Sequence, residues 1–257
     1  MIHRSLVIIV ALLWIAPASA SIRPTPQDEF DRDLLRIEEG RYLGSTVPDV
    51  AVVTESGTQS LHALIAGQPT ILMLAYYTCG HACPATIHNL SEALSRVRSD
   101  EHRVITLSFD AGDDLQTMRH AKSTLRQVPA NWTFGLLSRE ESERLTSSIG
   151  FRFFFSERDR VFVHPTVLVF LSPEGEVMRY LWGTEPRARD IELALVESRN
   201  RAPHLNELVD MFKLACFQFD TARSRYVLHP ALIFGSLGIG ILGVTGLAAF
   251  AYRPKGG

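Results

Sequence analysis

The chain of 257 residues carries 26 Lys and Arg against 28 Asp and Glu, a formal net charge of -2, and at roughly 100–200 residues per domain this length allows one large or two small soluble domains. Apolar residues make up 46% and charged residues 21%, which excludes a collagen-like or wholly disordered chain, and the near-neutral balance offers no broad cationic field for nucleic acid. Three cysteines are too few for a disulfide-stapled scaffold, and their odd number leaves at least one thiol unpaired.

Residues 1–20, MIHRSLVIIVALLWIAPASA, pair a short basic start (His3, Arg4) with an apolar run and a small-x-small site at Ala18-Ser19-Ala20. That order predicts a secretory signal peptide cleaved after Ala20. Residues 21–45 are charged and hold Pro24 and Pro26, the composition of a linker. A domain is expected over 46–200, followed by a juxtamembrane segment over 201–230. Residues 231–252, ALIFGSLGIGILGVTGLAAFAY, form an uncharged run of 22 residues. At 1.5 Å per residue it is long enough for a hydrocarbon core of about 30 Å. Arg253 and Lys255 follow it, which predicts a cytoplasmic tail over 253–257. The expected protein is single-pass in the inner membrane, with its soluble domain on the periplasmic side.

Within the domain, Thr70 to Thr78 is a continuous apolar run, the pattern of a strand covered on both faces. Ile87, Leu90, Leu94 and Val97 then recur at helical steps and predict a helix over 84–98, with Pro84 in its first turn. A strand over 104–109, a helix after Asp113-Asp114, a strand over 132–137 and a helix over 138–149 ending at Gly150 continue the alternation. The aromatic stretch 151–163 has no clear period. Strands over 166–171 and 177–182 flank Ser172-Pro173-Glu174-Gly175 and predict a hairpin, and a helix over 187–199 closes the pattern. The expected fold is an α/β mixed sheet flanked by helices, with one C-terminal transmembrane helix.

Directly after the buried strand comes Tyr76-Tyr77-Thr78-Cys79-Gly80-His81-Ala82-Cys83-Pro84. On a helix, positions four apart share a face, with Cβ atoms about 5–6 Å apart. Two thiols so placed can meet one soft metal ion or close a disulfide, and a helix N-terminus favours their thiolate forms. Two thiolates alone make an incomplete metal site. Among the nine histidines, His81 lies inside the loop, His88 follows Cys83 by five residues, and His164 stands immediately before Pro165-Thr166 and an apolar strand.

Tyr77-Thr78-Cys79-x3-Cys83-Pro84, then Val104-Ile105-Thr106-Leu107-Ser108-Phe109-Asp110, then Trp132-Thr133-Phe134, and last His164 before a strand and a Pro-Glu-Gly turn, together resemble the Sco/SenC family. The resemblance runs from about Leu43 to Trp182. It extends more loosely through Cys216-Phe-Gln-Phe-Asp220 and Tyr226, which resemble a segment of a membrane-anchored bacterial branch. It implies a thioredoxin-like fold with copper bound by Cys79, Cys83 and His164. It also implies a metallochaperone role in assembling the copper site of cytochrome c oxidase, with that enzyme's copper-bearing subunit or another copper chaperone as partner. The same thiols would serve a membrane-anchored thiol–disulfide oxidoreductase, with Cys79 and Cys83 as catalytic residues, and the sequence does not separate the two. Asp110 matches an acidic position of the family and is expected near the metal loop as a partner contact. Gly80 and His81 depart from the family's usual loop. Cys216 reads as a bystander thiol. The stretch around His164-Pro165-Thr166 also resembles the cis-proline loop of thioredoxins, so a cis 164–165 peptide is expected.

Overall fold

The computed structural model describes residues 35–80, 82–98, 101–126, 128–199 and 217–228, together with Thr245. The chain divides into a unit over Met1–Asp33, outside the described residues, and a second over Leu34–Gly257. The expected signal peptide and almost all of the 231–252 run therefore lie outside them. Among the described residues no helix is long and apolar enough to cross a membrane.

A short helix α1 (Glu39–Tyr42) leads into a hairpin of β1 (Ala51–Thr54) and β2 (Gly57–Ser60), then α2 (Leu61–Ile65). The alternating core follows: β3 (Thr70–Ala75), α3 (Ala82–Leu94), β4 (Arg103–Ser108), α4 (Leu115–Ser123), β5 (Trp132–Leu136) and α5 (Arg139–Ser148). Next come the small hairpin β6 (Phe154–Ser156) and β7 (Val161–Val163), the pair β8 (Val167–Leu171) and β9 (Val177–Trp182), α6 (Ala188–Arg199), and a last hairpin, β10 (Phe217–Asp220) and β11 (Arg225–Leu228). Seven strands form one sheet in the order β2-β1-β5-β4-β3-β8-β9. β3, β4 and β5 are mutually parallel, while β8 runs antiparallel to β3 and β9 to β8. The sheet is mixed, as expected, and thioredoxin-like.

β3 sits between β4 and β8, and all six of its residues are buried. A strand covered on both faces must be apolar throughout, which is why its sequence does not alternate. Ile71, Leu72, Ile105, Leu107 and Phe170 fill the centre, and truncating one of them to alanine costs about 2–5 kcal/mol. α6 packs on β9, β8 and β3 and against α3. Local sequence sets the helix starts. Asp114 caps α4 in a capping box with Thr117, and the Ser138 side chain accepts from Glu141 N–H at the start of α5.

Three expectations need correction. Residues 35–45, read as the end of a linker, pack on the domain: Ile37 is buried, and Trp182 Nε1 donates to Glu39 Oε1 at 2.7 Å. Part of the expected juxtamembrane segment likewise belongs to the fold, because Tyr226 on β11 is buried in the common core. The domain therefore extends beyond 46–200 at both ends. Finally, the described backbone contains no cis peptide, so the 164–165 bond is trans.

Candidate metal and thiol site

The site forms where β3 ends and α3 begins. Tyr77 anchors that turn from inside: its N–H donates to Asp113 Oδ2 at 2.6 Å, and its hydroxyl lies 2.9 Å from both Thr106 O and Gly135 O. Asp113 also accepts from Ser108 Oγ at 2.6 Å. Of the two aspartates expected as helix caps, only Asp114 caps; Asp113 is buried beneath the cysteine loop. Cys79 N–H donates to Tyr76 O at 3.3 Å, and Cys83 falls in the first turn of α3, which begins at Ala82. Both side chains are reduced thiols and buried, with Cys83 2% exposed and Cys79 8%.

His164 arrives from the segment between β7 and β8. β3 and β8 pair antiparallel with Met73 opposite Leu168, so the segment that leads into β8 comes in beside the end of β3. The antiparallel register thus closes a gap of 81 residues, and His164 Nε2 lies 3.5 Å from Cys83 Sγ. Proline geometry is not the cause, since the trans peptide brings the ring there as well. His164 Nδ1 lies 2.9 Å from Pro165 O. A carbonyl oxygen only accepts, so Nδ1 carries the proton and the Nε2 lone pair faces the sulfur. Tyr76, Phe109 and Phe151 surround the imidazole, with ring centroids 5.8, 5.2 and 5.9 Å away. Burial among these rings holds its pKa below the usual histidine value, against the hydrogen bond to Pro165 and the charge of Cys79.

Cys83 departs from the sequence expectation. A helix N-terminus favours thiolate, yet the Cys83 thiol is pushed far up, first by its hydrogen bond with Cys79 and then by burial. Tyr76 is likewise raised by burial and by its hydrogen bond with Cys79. Cys79, Cys83 and His164 thus form a hydrogen-bonded chain with Cys83 at its centre. Among the described residues no three His, Cys, Asp or Glu side chains already stand at metal-holding spacing. A cavity of about 10 Å³ lies beside Cys83 and His164, bounded by Met73, Leu74, Thr166 and Val167. That is close to the least volume that holds one water, about 10–15 Å³, so the site is tight and largely dry.

Asp110 holds its own turn, with Oδ1 accepting from Gly112 N–H at 2.8 Å. It lines a cavity of about 330 Å³ with Phe109, Phe153, Phe162 and Arg139. His88 is exposed on α3 and faces Glu92 at 3.5 Å. His81 and Cys216 lie outside the described residues. Asp113, Tyr77 and Phe151 are the site residues that sequence reasoning missed. For Asp113 the available signal was the doubled Asp113-Asp114, since one helix start needs a single cap.

Two sulfurs and one imidazole nitrogen, closed in by aromatic rings, suit a soft ion such as Cu(I), whereas structural zinc takes four ligands. The same two sulfurs can also exchange with a disulfide. A thioredoxin-like sheet presenting Cys-x3-Cys at a strand-to-helix turn, against a histidine just before the adjacent antiparallel strand, defines a dithiol–imidazole protein of the thioredoxin-like class. Residues 44–195, more than half of the chain, match the SCO1/SenC family, and the chain belongs to that family. Among solved structures, a putative electron transfer protein from Aquifex aeolicus VF5 is 30% identical; the match covers 63% of this chain and 97% of that one, with a TM-score of 0.57. Arabidopsis thaliana ScoI, crystallised with copper bound, shares the fold at 18% identity, with 60% and 98% of the two chains covered and a TM-score of 0.51. BsSco, a member of the Sco family of cytochrome c oxidase assembly proteins in which a disulfide switch was identified, is 18% identical, with 61% and 94% covered and a TM-score of 0.53. No curated protein matches the chain.

Proposed function

We propose that this protein is an exported copper metallochaperone, held in the inner membrane by residues 231–252 with its folded domain on the periplasmic side. It takes Cu(I) as cargo between Cys79, Cys83 and His164 for assembly of the copper site of cytochrome c oxidase. Its partner is the copper-bearing subunit of that enzyme or another copper chaperone. The observation that carries this reading is the His164 ring: Nδ1 is tied to Pro165 O, and Nε2 faces Cys83 Sγ at 3.5 Å. A dithiol reductase has no need of an imidazole lone pair aimed at its sulfur. Membership of the SCO1/SenC family and the copper-bound structure of Arabidopsis ScoI support the choice of metal. Cu(I) is a soft acid, and held by these residues it would leave by ligand exchange onto partner thiolates. The protein's part is to surrender the Cys83 thiol proton, orient the imidazole through Pro165 and exclude water with Tyr76, Phe109 and Phe151.

The hydrogen bond between Cys79 and Cys83 favours a second reading, thiol–disulfide exchange. The Cys79 thiolate would attack a partner disulfide and release one partner thiolate. Cys83 would then lose its proton and attack the Cys79 sulfur, freeing the second partner thiolate and leaving Cys79 and Cys83 oxidised. Cu(I) competition titrations of the reduced full chain separate the two. For the metallochaperone, His164→Ala lowers Cu(I) affinity by at least tenfold while the rate of disulfide exchange stays within a factor of two. Equal Cu(I) affinities would remove His164 as a ligand and favour the reductase.

A further inference from the structure

The C-terminal hairpin is fastened to the domain by buried polar contacts. Tyr226 N–H donates to Asp190 Oδ1 at 3.0 Å, and its hydroxyl donates to Glu197 Oε2 at 2.5 Å. Arg179 lies over the Phe219 ring at 4.4 Å and Arg189 over Phe217 at 3.9 Å. At the hairpin turn, Trp182 N–H donates to Ser224 Oγ at 2.6 Å. Between this turn and the start of α6 opens a cavity of about 390 Å³, lined by Trp182, Glu185, Arg187, Asp190, Arg223 and Arg225 among others. Its size falls within the range of small-ligand sites, about 300–1,000 Å³.

Three arginines converge there. Arg187 is exposed at the mouth. The Arg223 guanidinium makes a long ion pair, 3.8 Å, with Asp220, whose Oδ1 also accepts from Arg223 N–H at 3.1 Å. Arg225 Nε is shielded from water without a hydrogen-bond partner. Of the two acids, Asp190 is buried and already accepts from Tyr226, while Glu185 is exposed on the rim. A buried donor left unpaired costs about 1–3 kcal/mol, and planar guanidinium groups match phosphate oxygens in pairs. β11 ends at Leu228, and the uncharged run begins at Ala231. At about 3.3–3.6 Å per residue, the six steps from Arg225 to Ala231 keep the cavity within roughly 20 Å of the start of that run.

We propose that this cavity binds a phosphate group, supplied in the anchored protein by an anionic phospholipid headgroup. The phosphate site stands on the arginines alone; the lipid as its source rests on the reading of 231–252 as a membrane span. Headgroup binding would fix the height and tilt of the domain over the bilayer, independently of the Cys79–Cys83–His164 site.

The test is calorimetric titration of the full chain in neutral-detergent micelles with inorganic phosphate and, separately, with dihexanoyl phosphatidylglycerol, sodium chloride serving as the ionic-strength control. Both should bind the unaltered protein, the lipid more tightly. The Arg187→Gln/Arg223→Gln variant should bind each at least tenfold more weakly with its unfolding midpoint unchanged, and Arg225→Lys should weaken binding again. Phosphate binding as tightly as the lipid would keep the site but overturn the headgroup as its source. No binding beyond the chloride control, or equal binding by the variant, would overturn the site. Carbonate extraction of the full chain from membranes reads the anchor separately, so failure of the span and failure of the site are told apart.

Discussion

Cys83 Sγ and His164 Nε2 stand 3.5 Å apart although 81 residues separate them. The link is the antiparallel register of β3 with β8, fixed by buried residues on both strands. A one-residue slip would turn every side chain of β8 to the other face. The contact is therefore as well specified as the core itself.

Burial of His164 predicts a dependence of stability on pH. Its folded pKa lies below the ordinary histidine value of about 6.5, chiefly through burial, so the native state resists protonation that the unfolded chain accepts. The unfolded state binds more protons as pH falls below about 6.5, and stability falls with it until the folded pKa is passed; above about 6.5 the group contributes no slope. Urea midpoints measured between pH 7.5 and 5.5 should drop more for the wild type than for His164→Gln. Parallel curves would contradict a buried neutral imidazole.

Cys83 predicts proton release on metal loading. Its hydrogen bond with Cys79 and its burial keep the thiol protonated at neutral pH, while a metal takes the thiolate. Apparent Cu(I) affinity should climb with pH, by up to about tenfold per unit for each proton released. The slope should be smaller in Cys83→Ser. Competition titrations at pH 6, 7 and 8 provide the check.

Asp113 should matter more for the loop than its position in sequence suggests. It accepts from Tyr77 N–H and Ser108 Oγ, both at 2.6 Å. Bonds to a charged acceptor contribute about 1.5–3 kcal/mol, so Asp113→Ala should destabilise the domain by about 2–3 kcal/mol. Denaturant unfolding measures this, and faster amide exchange at residues 76–80 should accompany it.

Tyr226→Phe removes the hydroxyl that donates to Glu197, leaving Arg179 to hold that carboxylate alone. A loss of about 1–2 kcal/mol is expected, with raised hydrogen exchange confined to residues 217–228. Exchange unchanged there would mean that the ring, not the hydroxyl, fastens the hairpin.

Much of this architecture is legible in the chain. The buried run at 70–75, the periodic apolar residues of α3 and the Cys-x3-Cys at their junction each signal through local pattern, and His164 stands out by preceding a proline and an apolar strand. What stays hidden depends on distant partners. Tyr226 becomes core only because Glu197 and Asp190 wait on α6, and Ile37 only because the domain covers it. The stretch 151–163 lacks a period because Phe151, Phe153 and Phe162 pack on Phe109 and one another rather than on one sheet face. Asp113 and Asp114 look alike in sequence; burial alone assigns one to the loop and the other to the helix cap. The thiolate expectation failed for Cys83 because the sulfur beside it outweighs the helix N-terminus.

The most direct measurement is X-ray absorption at the copper edge of the Cu(I)-loaded full chain, compared with His164→Ala. Two sulfur scatterers and one nitrogen are predicted for the wild type, with the nitrogen lost in the variant. A first shell of sulfur alone, identical in both proteins, would contradict the assignment of His164 to the site.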